Sequence, residues 1–256
     1  MYINTLSKEL MELSVCEVLN INKEKHGDLI ETCYNKFQKD HHVFIIDNQY
    51  DYFFDYVKNH LCKEIDQVLF IHLSRRLDKC NDGKSLKDVL ISDTSLSSFL
   101  KNYGITFKYD EYIRLFIDDC EIDFNELNNY TFEYLKERFS HDYSFKGYMF
   151  NQCIDEHING PELLGYLDYF KDISDDFIDK SIFYQFDYLV PLDKVYFDNY
   201  DELSDIDKQY HIVVKVLQRL YFDKYDSQFN EDDNEVMGII DGFILEDKYL
   251  LNKSKL

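Results

Sequence analysis

Apolar side chains recur along this chain at steps of three and four residues, the spacing that places one face of an α-helix against a core. The pattern is longest over 49–79 and is clear again over 204–220. Alternation with period two, which marks a half-buried strand, is scarce. We therefore predict a mainly α fold, a multi-helix globular bundle with at most one small β element, near 42–47 or 188–197.

The chain of 256 residues is long enough to bury a sizeable core in one piece. No internal repeat and no linker rich in Gly, Pro or Ser divides it, which predicts a single globular unit over 1–256. The turn sequence Asn81-Asp82-Gly83 and the helix-ending Gly104 mark the one candidate boundary. The alternative organisation is a near-neutral helical part, 1–83, and an acidic helical part, 104–256.

The negative charge is regional. The 50 acidic residues outnumber the 28 basic ones, and segment 155–207 alone holds 15 carboxylates against three lysines, a net charge of −12. The chain has no Ala and is rich in Asn, Ile, Tyr, Phe and Lys, which is the composition that an AT-rich coding sequence produces. Such codons favour Lys, so they do not explain an excess of acidic residues. A field of this sign repels nucleic acids and anionic membranes, and it attracts basic surfaces.

The six cysteines are scattered, without a CxxC pair or the spacing of metal ligands. The first residues lack the basic and apolar regions of a signal peptide, and no apolar run reaches the length of a membrane span. These features predict reduced thiols and a cytoplasmic location, in the host cytoplasm if the source is a virus or phage.

Motifs that carry chemistry are missing from the sequence. There is no HExxH, GxSxG, GxGxxG or phosphate-binding loop. The carboxylates of 118–123 lack the glycine of a calcium loop, and the run 230–235 is interpreted as a solvated helix start. Arg75, Arg76 and Lys79 form the only compact basic patch, too small for binding nucleic acid. We predict no catalytic residue, no metal ligand and no cofactor.

Closely spaced carboxylates interspersed with Tyr can imitate a phosphate backbone and attract a basic protein. The charge pattern thus predicts an acidic binding or inhibitor protein, a nucleic-acid mimic, immunity protein or antitoxin, whose partner is a basic protein such as a nucleic-acid-binding enzyme. Direct contact with nucleic acid or membrane is not expected, and the oligomeric state stays open. The composition is compatible with a phage, virus or mobile element. The predicted partner-binding residues are Asp168, Asp172, Asp175, Asp176, Asp179, Asp198, Asp201 and Glu202.

Two alternatives remain. The chain is either a helical adaptor or scaffold that binds through an apolar groove, or an enzyme with a dispersed site of Asp, Glu, Tyr and His. Steep weakening of binding by salt separates charge-driven association from an apolar groove. A tightly bound divalent ion would favour the enzyme, which is the less favoured class.

Overall fold

A computed structural model describes residues 1–38, 42–123, 136–140, 144–151, 171–198, 200, 203–225 and 234–256, without the side chains of 42–46 and 171. The helices in this part of the chain include α1 (Lys8–Val18), α2 (Lys23–Phe37), α3 (His42–His60), α4 (Leu86–Ile91), α5 (Ser95–Lys101), α6 (Lys171–Lys180) and α7 (Asp205–Tyr225). The strands are β1 (Gln67–Arg76), β2 (Ile105–Tyr109), β3 (Ile113–Ile117), β4 (Cys120–Glu121), β5 (Lys146–Tyr148), β6 (Ile182–Pro191), β7 (Val195–Phe197), β8 (Val236–Ile239) and β9 (Leu250–Lys255).

The prediction of a mainly α, all-α bundle is wrong, because the fold is mixed α/β. One sheet has six strands in the order β7-β8-β5-β1-β6-β9, and a second sheet has three in the order β2-β3-β4. The region 188–197 does contain extended backbone, in the end of β6 and in β7. The other proposed β element, 42–47, lies in α3.

The segment 49–79 begins in helix α3, as predicted, but the helix ends at His60 and strand β1 follows. Four consecutive β1 residues, Val68 to Ile71, are each no more than 3% exposed. A strand covered on both faces has a continuous apolar run, and over so few residues this run also matches steps of three and four. The prediction based on helical periodicity therefore continued the helix, wrongly, through the buried strand β1.

The spacing of Tyr112, Ile113 and Phe116 would also suit one side of a helix, but residues 109–117 are not helical. They form the end of β2 and all of β3, which pair antiparallel from Ile105↔Ile117 to Tyr109↔Ile113. Asp118 and Asp119, the first two residues of the carboxylate-rich run 118–123, form the tight turn into β4. Their φ angles are 48° and 65°. Asp is one of the few residues that tolerates this left-handed backbone, so the acids serve the hairpin turn.

The chain divides into two compact units, each built from three segments. Unit 1 comprises Met1–Ile71, Tyr148–Cys153 and Leu189–Met237. In this unit α7 contacts α1, α2 and α3. Ser7 and Asn22 cap the starts of α1 and α2 by accepting hydrogen bonds from backbone N–H groups. The predicted helix over 204–220 is thus confirmed as the element that the other helices of unit 1 share.

Unit 2 comprises His72–Gly147, Ile154–Tyr188 and Gly238–Leu256. Helices α4 and α5 pack on β2, and both lie within 85–103, where the sequence is compatible with one or two short helices. Helix α6 joins the same core through Ile173 and Phe177. Thr94 and Ser97 form a reciprocal capping box at the start of α5.

Gly104 connects α5 to β2 with φ of +73°, and a Cβ built there would lie 2.2 Å from Asp118 Oδ1. We expect Gly104→Ala to lower the free energy of unfolding by about 1–3 kcal/mol, because alanine is strained in this backbone conformation. Gly27→Ala is the control, since Gly27 lies within α2 and its added Cβ meets nothing within 4 Å. There the substitution should raise stability by about 0.5–1 kcal/mol. Urea denaturation measures both, and equal effects at the two positions would contradict the hairpin geometry.

Candidate functional site

Helix α6 carries four of the eight predicted partner-binding residues. Its apolar side is held by Ile173 and Phe177, and the Phe177 ring meets Phe99 edge to face at 5.5 Å. At 100° per residue, the positions of Asp172, Asp175 and Asp179 fall on the side away from these two. All three are exposed. We call these three residues the α6 acidic row.

The fourth residue, Asp176, is engaged within unit 2. Its Oδ2 accepts a hydrogen bond from Lys180 Nζ at 2.6 Å and another from the Tyr103 hydroxyl. The bonds from Lys180 and Tyr103 lower the pKa of Asp176. The same contact with Asp176 raises the pKa of Tyr103. Asp176 thus connects α6 to Tyr103, which follows α5, and is less available to a partner than its neighbours.

The remaining predicted residues do not join this row in the described structure. Asp198 belongs to unit 1, where it is half-buried and its backbone N–H donates to the Val236 carbonyl at 2.9 Å. Three residues lie outside the described part of the chain: Asp168, Asp201 and Glu202. Ser174 is of a residue type that often caps the start of a helix, but it lies inside α6 and is not its cap.

Within the described residues, no group of three His, Cys, Asp or Glu side chains could hold a metal ion. The described cysteines, Cys16, Cys33, Cys62, Cys80 and Cys120, are free. No helix in this part of the chain is long and apolar enough to cross a membrane.

Sequence patterns did not reveal a group of polar side chains in unit 1 that is centred on the buried His211 and Glu235 and extends to the exposed Tyr200. We call it the His211 cluster: Tyr50, Tyr200, His211, Lys215 and Glu235. Helix α7 supplies His211 and Lys215 one turn apart, and Glu235 stands immediately before β8. His211 is 1% exposed and Glu235 is 7% exposed.

Glu235 connects the two basic groups of the cluster. Its Oε1 lies 3.0 Å from His211 Nε2, and its Oε2 lies 3.0 Å from Lys215 Nζ. A carboxylate accepts, so His211 carries its proton on Nε2, and Nδ1 accepts from the Tyr50 hydroxyl at 3.1 Å. The His211 ring also packs on Tyr200, with centroids 4.3 Å apart. Every polar atom of the imidazole therefore has a partner, as burial demands.

Burial lowers the pKa of His211, although the bond to Glu235 opposes the shift. Burial alone would raise the pKa of Glu235, but the hydrogen bond from His211 and the charge of Lys215 lower it. Burial likewise works against the charge on Lys215, and the attraction of Glu235 outweighs it and raises the pKa of Lys215. The cluster near neutral pH is therefore an ion pair of Lys215 and Glu235 beside a neutral imidazole.

A signal for this cluster was present in the sequence. His211 and Gln218 stand within the apolar stripe of a strongly periodic helix, where a polar side chain needs a buried partner. Glu235 was assigned to a solvated helix start, which is wrong, because it precedes a strand and is buried. Its partners are 20 and 24 residues earlier in the chain, so only the tertiary structure pairs them.

Comparison with protein-family models, with curated proteins and with solved structures finds no match to this chain.

We expect Glu235→Gln to lower the free energy of unfolding by about 3–5 kcal/mol, because Lys215 loses the counter-charge in its largely buried site. Adding Lys215→Met should recover part of this loss by removing the stranded cation. Urea denaturation at pH 7 measures both variants. Glu246→Gln is the control, because Glu246 makes the same kind of pair with Lys248 at 2.9 Å on the surface. A loss at Glu246 as large as the loss at Glu235 would contradict a buried ion pair.

A second expectation concerns pH. The unfolded chain binds a proton at His211 near its ordinary pKa of about 6.5, whereas the folded chain, with the lowered pKa, does not. Stability should therefore fall as pH drops below about 6.5, by up to about 1.4 kcal/mol per pH unit from this residue. His211→Asn should reduce the loss between pH 7 and pH 5.

Val213→Ala is the control for the pH experiment, because it removes core packing from the same helix and keeps His211. It should lower stability by a similar amount at each pH. If the stability of wild type and of His211→Asn depended equally on pH, folding would not lower the pKa of the imidazole.

Proposed function

We propose that this chain is an acidic binding protein that engages a basic protein surface through the α6 acidic row. The observation that carries the proposal is the set of three exposed carboxylates on the face of α6 opposite its buried residues. Spacings of three and four residues make these side chains neighbours on the helix surface. Repulsion between these carboxylates is unfavourable, and binding of a basic partner would compensate for it.

Some surface acids of unit 2 are paired with a base, unlike the α6 acidic row. Asp110 and Glu121 both bind Arg114, at 2.7 and 2.6 Å, and Asp241 binds Lys87 at 3.1 Å. No ion pair among the described residues includes Asp172, Asp175 or Asp179. Exposed carboxylates at this spacing concentrate negative potential at one place on the surface, which accelerates encounter with a cationic partner.

Tyr103 adds a second element to this surface. It is 36% exposed and donates its hydroxyl proton to Asp176 beside the row. Tyrosine contributes a large contact area at low entropic cost and is enriched among the residues that dominate binding energy. Carboxylates beside an aromatic ring are the combination expected of an inhibitor that occupies a nucleic-acid-binding surface. The interaction would take place in the cytoplasm, where free cysteines stay reduced.

The test replaces the row with neutral amides: Asp172→Asn, Asp175→Asn and Asp179→Asn together. The probe is a synthetic helical peptide rich in Lys and Arg, and the association rate is measured by stopped flow at low and high salt. We expect the triple variant to associate about 10-fold more slowly at low salt and similarly at high salt, because the lost attraction acts on the on-rate and is screened by ions.

A matched control removes three exposed acids from another helix: Glu24→Gln, Asp28→Asn and Glu31→Gln in α2. Both triple variants change the net charge equally and at nearly the same helical spacing. Equal slowing by the two would assign the attraction to total charge and would refute a binding surface on α6. Thermal unfolding of each variant checks that the row variant is folded, and it should be at least as stable as wild type.

A further inference from the structure

Two cations in unit 2 converge on one aromatic ring. Arg76, at the end of β1, places Cζ 5.0 Å from the centroid of Phe186 in β6. Lys253, in β9, places Nζ 4.9 Å from the same centroid and 4.0 Å from that of Tyr184. Since β6 lies between β1 and β9, the two side chains reach the buried Phe186 from strands on opposite sides.

Arg76 and Lys253 have no carboxylate partner within ion-pair distance among the described residues. Asp78 and Asp247 act on Lys253 only at longer range, whereas Arg76 repels it. Burial and this repulsion lower the pKa of Lys253. Two like charges at half-buried positions therefore act on one another across the same ring, and the ring offsets only part of the cost.

Hydrogen-bond donors also remain in excess at this place. Arg76 Nη2 donates to the Asp82 carbonyl at 3.3 Å, but its buried Nε has no acceptor among the described residues. Lys253 Nζ donates to Asn81 Oδ1 at 2.8 Å and has two further protons. A buried donor without an acceptor is costly, and an anion that accepted from both side chains would remove this cost.

Asn81 is itself fixed in place. Its carbonyl accepts from the Tyr188 hydroxyl at 2.5 Å, and its side-chain amide donates to Asp247 Oδ1 at 2.8 Å. The Lys253 ammonium is thus held by a chain of oriented groups, so the position of the cation is set before any ligand arrives. Preorganisation of this kind is what a binding site requires.

We propose that Arg76 and Lys253 form an anion site for a small phosphate-bearing ligand. A guanidinium and an ammonium are the two groups with which proteins most often bind phosphate, and together they supply two positive charges and several donors. The site is local. The overall charge of −22 repels anions, so binding here depends on these two side chains and not on the general field.

Isothermal titration calorimetry on the full-length protein tests the site, with inorganic phosphate and pyrophosphate as probes at constant ionic strength. We expect saturable binding with one site per chain. Tighter binding of pyrophosphate supports recognition of two linked phosphates, and equal binding supports a site for one phosphate. Absence of saturable binding of either anion at millimolar concentration overturns the proposal.

Arg76→Gln and Lys253→Gln should each weaken binding at least about 10-fold, as expected for loss of a charge-assisted contact. Arg75→Gln is the matched control. Arg75 is the adjacent arginine of β1, its Nε is likewise buried without an acceptor, and it packs on a different ring, Phe183, at 5.4 Å. Successive strand residues face opposite sides, so Arg75→Gln should leave binding unchanged. Equal weakening at Arg75 and Arg76 overturns the site.

Thermal unfolding without ligand gives an independent measurement. Lys253→Gln removes one of two repelling charges, so its midpoint should equal or exceed that of wild type. If Arg76→Gln does not fold, Lys253→Gln decides the question, and binding at wild-type affinity by folded Lys253→Gln overturns the proposal. A lower midpoint for Lys253→Gln would show that the lysine stabilises the fold instead, which also overturns it.

Discussion

Burial of α7 is the constraint on which unit 1 depends, because the helix brings a histidine and a lysine into contact with the core. Three valines lie among and beside these residues, at 213, 214 and 216, and all are fully buried. A lysine in such surroundings is tolerated only with a counter-charge. Glu235 supplies it, so the backbone entering β8 has to pass this point of the helix. The Tyr50 hydroxyl binds the second ring nitrogen of His211 and thereby connects α3 to the same turn of α7.

The distribution of charge outside this cluster is uneven in two opposite ways. Some surface acids of unit 2 are paired with a base, as Asp110 and Glu121 are with Arg114. Among the described residues no ion pair includes the α6 acidic row, and none includes Arg76 or Lys253 on the strands. The net charge of the chain predicts an acidic surface such as the α6 acidic row. It does not reveal Arg76 and Lys253, because two cations hardly change the net charge of a chain with 50 acidic residues.

Sequence reasoning located the helices that expose one polar side and bury the other. Helix α7 covers 205–220 of its predicted segment and continues to Tyr225, because its apolar stripe at steps of three and four is uninterrupted over several turns. Sequence reasoning failed where apolar runs were short. The four buried residues from Val68 and the five of β3 are compatible with either period, and local sequence cannot decide between them. Strand pairing decides, since β1 gains its partners from β5 and β6, far along the chain.

The candidate sites divide in the same way. The amino-acid sequence by itself determined the regional acidity, the amphipathic α7 and the exposed acids of α6, because charge is additive and helical spacing is local. Tertiary structure alone decided that Glu235 is buried beside His211 and Lys215, and that Arg76 and Lys253 share Phe186. The physical reason is distance along the chain. These groups meet only after strands from separate segments pair, and the compensation or repulsion between charges depends on a few ångströms that no local pattern encodes.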